Sequence, residues 1–321
     1  MIFPDKTPHE RRPTPTARAL LHSAAWWRLQ HRLAPYLFVL PFVLLFLVFQ
    51  LWPLVRSVAL SFHKTAGTRR QVWVGLANYE FLLRDQFFWF AVLNTVAYAT
   101  AFLAIQLPLS FGLAVLLNSP RVRARGLFRL AFFSTHLVGA AFVGILFAQL
   151  LNARYGLLNV ALGAILQRPV RIDWLGQPET AMLSVLLAGL WLSVGYGMVY
   201  FLAALQAVDR ELYEAAAVDG AGRMARLWHV TLPGVRHVTW FLALFGLIGA
   251  MQMFELPYVL FGQGSGPANS GLTIVMYLYI HGFQAGDLGY AAAIGWMLVL
   301  LIAGLALAQL RLARRREGAA A

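Results

Sequence analysis

Long uncharged apolar runs alternate along the chain with short polar stretches. The uncharged runs are 34–55, 87–120, 130–153, 180–208, 238–254 and 288–310. The second is centred on 91–117, and the fifth resumes after Glu255 and continues to 261. A helix needs about 20 apolar residues to cross a bilayer, so the pattern predicts six membrane-spanning helices. A further apolar run, 272–280, is too short to cross. It reads either as an interfacial, scoop-like helix on one face of the membrane or as a hydrophobic loop packed on the bundle.

Between the fourth and fifth runs lies LYEAAAVDGAGRMARLWHVTLP, residues 212–233, one of the few places where charge gathers. Asp209 is placed to N-cap a first short helix, and Glu211 and Glu214 suit its positive end. Ala215, Ala216 and Ala217 form helix readily and carry little bulk, so this backbone can approach a partner closely. Asp219-Gly220 is a turn signal. Asp219 is also placed to cap a second helix over 221–230, which Pro233 ends before the fifth span. A surface helix is ordinary in any loop between spans, so the spacing of the residues carries the further reading given below.

Composition narrows the class. The chain is 60% hydrophobic and 12% charged, against about 25% charged in a soluble domain. Cysteine is absent, which excludes disulfides and thiol chemistry. The net charge of +13 sits at the ends of apolar runs rather than on one folded face, so nucleic-acid binding is not expected. Most Lys and Arg fall in the tail 1–33, in the second loop (Arg121, Arg123, Arg125, Arg129), in the fourth loop (Arg210, Arg223, Arg226, Arg236) and in the C-terminal tail. By the positive-inside rule both termini and the 212–233 stretch lie in the cytoplasm. The segment 18–33 carries Trp26 and Trp27 among Arg and His and predicts an interfacial helix. The first apolar run is too long and too far from the start for a signal peptide, so no cleavage is expected.

The spacing Glu214-Ala215-Ala216, three residues, Gly220, nine residues, Val230, one residue, Leu232-Pro233 resembles the EAA loop of permease subunits of bacterial binding-protein-dependent ABC importers. The stretches 40–62, 75–95 and 266–296 resemble the carbohydrate-type members, of the lactose or glycerol-3-phosphate kind. The resemblance covers roughly residues 35–312. It implies an all-α membrane protein of six transmembrane helices with the type I ABC importer permease fold. Its parts would be a cytoplasmic tail with an interfacial helix (1–33), a first transmembrane helix (34–61), a permease core (87–311) holding the coupling loop 209–233, and a cytoplasmic tail (312–321).

By the same resemblance, Glu214, Ala215, Ala216, Asp219, Gly220, Leu232 and Pro233 form the contact with an ATPase. The implied partners are two ATPase subunits holding ATP and magnesium, a second permease subunit and an extracytoplasmic binding protein. The chain itself is not expected to be an enzyme. Its glycine-rich stretch 262–271 contains no lysine, and neither Lys6 nor Lys64 follows a phosphate-cradling loop. Glu214 to Gly220 is expected to look exposed when this chain is seen alone.

Polar residues within spans mark a path or brace helices against one another. The candidates are Asn94, Gln106, Ser193, Tyr196, Tyr200, Gln252, Glu255 and Tyr258, whose neutral hydroxyls, amides and rings suit a sugar. Glu255 is expected near the outer end of the fifth span, where it meets the substrate or braces the gate. Pro257 is expected to bend the helix there. His136 reads as a structural group near the inner interface, because no second ligand stands at metal spacing. A glycerol-3-phosphate or polyol-phosphate importer is the alternative substrate reading. A stand-alone ion-coupled transporter would need ionisable relays in the spans, and an intramembrane hydrolase would need a facing catalytic pair.

Overall fold

The computed structural model describes residues 33–67 and 70–318, with side chains to 313. The interfacial helix expected over 18–33 falls almost wholly outside the described residues. The chain divides between Ser57 and Val58 into two units. The first unit is the body of helix α1 (Leu33–Ser61), whose mean hydropathy of 2.4 suits a bilayer crossing. A π-turn at Leu47–Leu51 interrupts it just before Pro53. Proline has no N–H for the carbonyl four residues back, and the wider turn accommodates that missing bond.

The second unit opens with a two-stranded antiparallel hairpin, β1 (His63–Ala66) and β2 (Arg70–Trp73), with Thr65 opposite Gln71. The hairpin is a small addition to a helical fold. After α2 (Ala77–Arg84), Asp85 caps α3 (Gln86–Asn118) by accepting a hydrogen bond from the Phe87 N–H. The third apolar run is not one straight span. It divides into α4 (Arg125–Ser134), extended by a 3-10 turn at Thr135–Leu137, and α5 (Ala140–Leu150), bent by 102° from the segment before it. The Ser134 and Thr135 hydroxyls bond back to the Ala131 and Phe132 carbonyls, and Val138 and Gly139 are extended. Local side-chain bonds of this kind compete with helix continuation.

Next come α6 (Leu157–Leu166), α7 (Pro178–Ala207) and α8 (Arg210–Val218), followed by α9 (Arg223–Gly234), a helix interrupted by a π-turn. A 62° bend separates α9 from α10 (Arg236–Met251). Pro233 therefore lies within α9, and the chain turns one residue after Gly234. The fifth apolar run breaks again at 252–254, and α11 (Glu255–Leu260) follows. Pro257 does not make this break. It stands in the first turn of α11, where its missing N–H has no helical partner to lose. The short run becomes α12 (Ile274–Tyr279) with a π-turn at Ile280–Gln284, and α13 (Leu288–Gly318) completes the described chain.

Four of these helices are long and apolar enough to cross a membrane, and six spans result if each bent pair counts as one. The most apolar window of α7 is 56% buried, against 28% for α3 and 22% for α13, so α7 is the central helix of the second unit. It packs most extensively on α3. The two helices run in the same direction, since Tyr98 meets Gly189 and Gln106 meets Gly197. In an apolar solvent, close packing through small residues replaces the hydrophobic drive between helices. A Cβ at Gly195 would stand 1.8 Å from the Phe132 carbonyl oxygen, so α4 can lie on α7 only because that position is bare.

Candidate functional site

A cavity of about 600 Å³ opens between α3, α7, the α4–α5 joint and the α10–α11 break. Tyr98, Phe102 and Gln106 face it from successive turns of α3. Opposite them stand Gly189, Leu192, Ser193 and Tyr196 of α7. Phe245 and Gly249 of α10, with Gln252, Phe254 and Glu255 around the break, close the far side. The break matters because it swings Glu255 and Gln252 onto the wall, where both are exposed.

The polar groups of this wall differ in how far the protein satisfies them. Ser193 donates back to the Gly189 carbonyl within its own helix. Gln106 Nε2 donates to Ser110 Oγ at 3.3 Å, and Ser110 Oγ donates to the Val194 carbonyl at 2.9 Å. Gln106 Oε1 is buried and has no hydrogen-bond partner among the described residues. From the α4–α5 joint, His136 lies against Tyr196 with ring centroids 4.6 Å apart. The file of rings continues through Tyr200 and Phe241 to Phe245. Among the lining residues Glu255 is the single carboxylate, and none is Lys or Arg. Its place at the start of α11 suits an anion, because helix N–H groups and the helix dipole are positive there.

A second polar cluster closes the end of the bundle where α3 and α13 begin. Asp85 accepts from the hydroxyls of Tyr277 and Tyr290, the latter at 2.9 Å. Asp287 caps α13 by accepting from the Tyr290 N–H at 3.1 Å, and it also accepts from Thr65 Oγ1 at 3.1 Å. His281 is wedged between the rings of Tyr277 and Tyr290, at 4.5 and 5.0 Å. Burial lowers its pKa from the usual 6.5, against the opposing pull of Asp85 and Asp287. These bonds tie β1, α12 and α13 to the head of α3.

The stretch between α7 and α10 stands out from the rest. Asp209 caps α8 by accepting from the Glu211 N–H at 3.0 Å. At the other end, the Ala221 N–H reaches the Ala216 carbonyl at 2.9 Å and the Gly220 N–H reaches Ala217 at 3.1 Å. This pair of bonds, with Gly220 at φ +77°, is a Schellman C-cap. Asp219 ends α8, and the residue before α9 is Gly222. Arg226 Nε donates to the Ala221 carbonyl at 2.8 Å, which holds the turn from the α9 side. Glu214, Ala215, Asp219 and Gly220 are exposed and Ala216 is half-buried. Val218, an apolar residue, is 89% exposed, and Met224 and Trp228 are exposed as well.

Comparison with known proteins decides the family. Residues 32–318 match the family described as "Binding-protein-dependent transport system inner membrane component". The chain belongs to this family. It is 38% identical to the arabinooligosaccharides transport system permease protein AraP of Bacillus subtilis over 286 residues, covering 89% of this chain and 90% of that one. It is 35% identical to the lactose transport system permease protein LacF of Rhizobium radiobacter over 283 residues, covering 88% of this chain and 94% of the relative. A solved bacterial ABC transporter "involved in the import of the acidic polysaccharide alginate" contains a chain with the same fold. The TM-score is 0.78 at 24% identity, with 91% of this chain and 99% of that one covered. The protein is thus a multi-pass membrane permease subunit of an ATP-driven importer.

In the permease, the sequence-derived path candidates fall into two groups. Gln106, Ser193, Tyr196, Gln252 and Glu255 wall the cavity together. Asn94, Tyr200 and Tyr258 do not line it. Asn94 Nδ2 donates to the carbonyls of Asn269 and Leu272 at 3.1 and 3.2 Å and so pins a loop. Tyr258 pairs with the Tyr279 hydroxyl at 3.3 Å. Tyr200 lies one turn beyond Tyr196 and reaches the cavity only through that ring. His136, read from the sequence as a structural group, lies on the wall because the 102° bend turns the end of the α4 segment inward. Tyr98 was missed. Its spacing of four and eight residues from Phe102 and Gln106 was the available signal, since residues four apart share a helix face.

Proposed function

We propose that this permease forms half of the translocation path for an uncharged sugar handed over by an extracytoplasmic binding protein. A second permease subunit supplies the other half. Both termini and the α8–α9 stretch lie on the cytoplasmic side, in keeping with the placement of Lys and Arg. There Glu214 to Gly220, with Leu232 and Pro233 behind them, dock on a separate ATPase subunit that binds ATP and magnesium. Small alanines allow close approach, and the exposure of Val218 and Met224 suits burial in a partner.

The observation that carries the substrate reading is the charge of the cavity: one carboxylate, Glu255, and no lysine or arginine. A phosphate or uronate would meet that carboxylate with no lysine or arginine among the lining residues to offset it. Hydroxyls find amides, hydroxyls and ring faces there. AraP and LacF, named for the transport of arabinooligosaccharides and lactose, support an uncharged cargo. The test is uptake into proteoliposomes holding the complete importer and its binding protein. The probes are arabinotriose, lactose and trehalose against sn-glycerol-3-phosphate and an alginate oligosaccharide. Uptake of a neutral sugar alone is expected; preferential uptake of an anionic probe overturns the reading.

A further inference from the structure

We propose that Tyr98 and Gln106 read the hydroxyl groups of the transported ligand, with Tyr98 Oη and Gln106 Oε1 as the hydrogen-bonding atoms. The inference rests on the reading of the cavity as the path of an uncharged sugar.

Both groups are set into the α3–α7 interface with the care given to a ligand contact. A Cβ at Gly189 would stand 2.3 Å from Tyr98 Oη, and one at Gly197 would stand 2.5 Å from Gln106 Nε2. The two polar residues are eight apart on α3, and the two bare positions are eight apart on α7. Each polar side chain therefore has its own vacated place, in register, on a neighbouring parallel helix. Tyr98 and Gln106 are each 4% exposed.

Such burial normally demands a hydrogen-bond partner for every polar atom. Neither group has its full set. Tyr98 Oη makes no hydrogen bond among the described residues, although its side chain lines the cavity. The Gln106 amide has only one workable orientation. Ser110 spends its single hydrogen on the Val194 carbonyl, so it can only accept from Gln106. That fixes Nε2 toward Ser110 and leaves Oε1 as a buried acceptor without a donor. An unmet buried acceptor is costly, about 1–3 kcal/mol, so the fold retains it against its own stability. A sugar hydroxyl supplies the missing donor to Gln106 and either partner to Tyr98. The other polar wall residues of α7 are already engaged: Ser193 bonds its own helix and Tyr196 bonds the Tyr200 hydroxyl.

Tyr98→Phe removes one oxygen that makes no hydrogen bond among the described residues, which separates a ligand contact from a structural one. In the complete importer with its binding protein, the variant should keep the parent melting temperature. Its KM for the neutral sugar carried by the parent, among arabinotriose, lactose and trehalose, should rise about fivefold. It should also lose the parent's preference for that sugar over an analogue lacking one hydroxyl. Gln106→Met should raise KM and relax the preference in the same way, while its melting temperature also carries the loss of the bond to Ser110. A variant with unchanged KM and unchanged preference overturns the proposal, as does a lowered melting temperature with no change in KM. If the parent carries only the anionic probes, the neutral-sugar reading fails instead.

Discussion

The hydroxyl of Tyr213 donates to Oγ1 of Thr231 at 3.1 Å. This bond ties α8, the exposed helix, to the π-turn of α9, and Thr231 Oγ1 in turn donates to the Arg226 carbonyl at 3.3 Å. If α8 docks on an ATPase as proposed, a push on it is expected to reach α9 and, past the bend at Val235, α10 through this bond. Tyr213→Phe is expected to cost about 1 kcal/mol of local stability and to lower the sugar moved per ATP hydrolysed. Parallel assays of uptake and phosphate release check this; an unchanged ratio would show that the bond does not transmit.

Gly220 has open space where a Cβ would stand, yet its φ of +77° belongs to the left-handed region. The cost of a side chain there is conformational and not steric. Gly220→Ala should destabilise α8 by about 1–2 kcal/mol, and Gly220→Asn by less, because asparagine tolerates that conformation. Hydrogen exchange at Gly220 and Ala221 would rank the two. Gly220→Pro removes an N–H of the C-cap and should uncouple hydrolysis from uptake.

Glu214 makes no hydrogen bond or ion pair within the described residues. Reversing its charge therefore leaves this chain intact. Glu214→Lys should melt with the parent and fail to couple to the ATPase. A variant that transports normally would rule out the docking role of α8.

Gly195 is the opposite case from Gly220. Its backbone is ordinary helix, and the obstacle to a Cβ is the Phe132 carbonyl at 1.8 Å. Backbone cannot swing aside as a side chain can. Gly195→Ala should destabilise the α4–α7 packing by about 1–3 kcal/mol, seen as a lower melting temperature and poorer yield from the membrane.

His281 gives the end cluster a pH dependence. Its folded pKa lies below the unfolded value, so between the two the unfolded chain holds the extra proton. Stability therefore rises with pH and is lost as pH falls through 6.5. Protonation must be accommodated between the Tyr277 and Tyr290 rings, beside Asp85 and Asp287. Hydrogen-exchange protection over 272–290, taken relative to the intrinsic rate at each pH, should fall below pH 6.5 in the parent and lose that dependence in His281→Asn. Protection that rises on acidification, once the slower base-catalysed chemical exchange is divided out, would reverse the sign and refute the account.

The apolar runs by themselves determined where spans lie, because a bilayer demands about 20 residues that need no water. The spacing around Glu214 and Gly220 was likewise legible, since capping, turn and packing there depend on near neighbours in the chain. Local pattern could not supply the angles. Nothing in the uncharged run 130–153 announces a 102° bend, nor does Pro257 mark the break that precedes it. Local bonds at Ser134 and Thr135 open the first break without fixing its angle, and a contact between distant segments, the Thr273 hydroxyl on the Met253 carbonyl at 2.9 Å, holds the second. The angles decide that Gln106, Ser193, Gln252 and Glu255 share one cavity, while Asn94 and Tyr258, of the same chemistry, bond to the protein instead. The sequence determined the residues and the helices; only the tertiary structure decided which polar groups are left for a ligand, because that depends on which neighbours have already satisfied them.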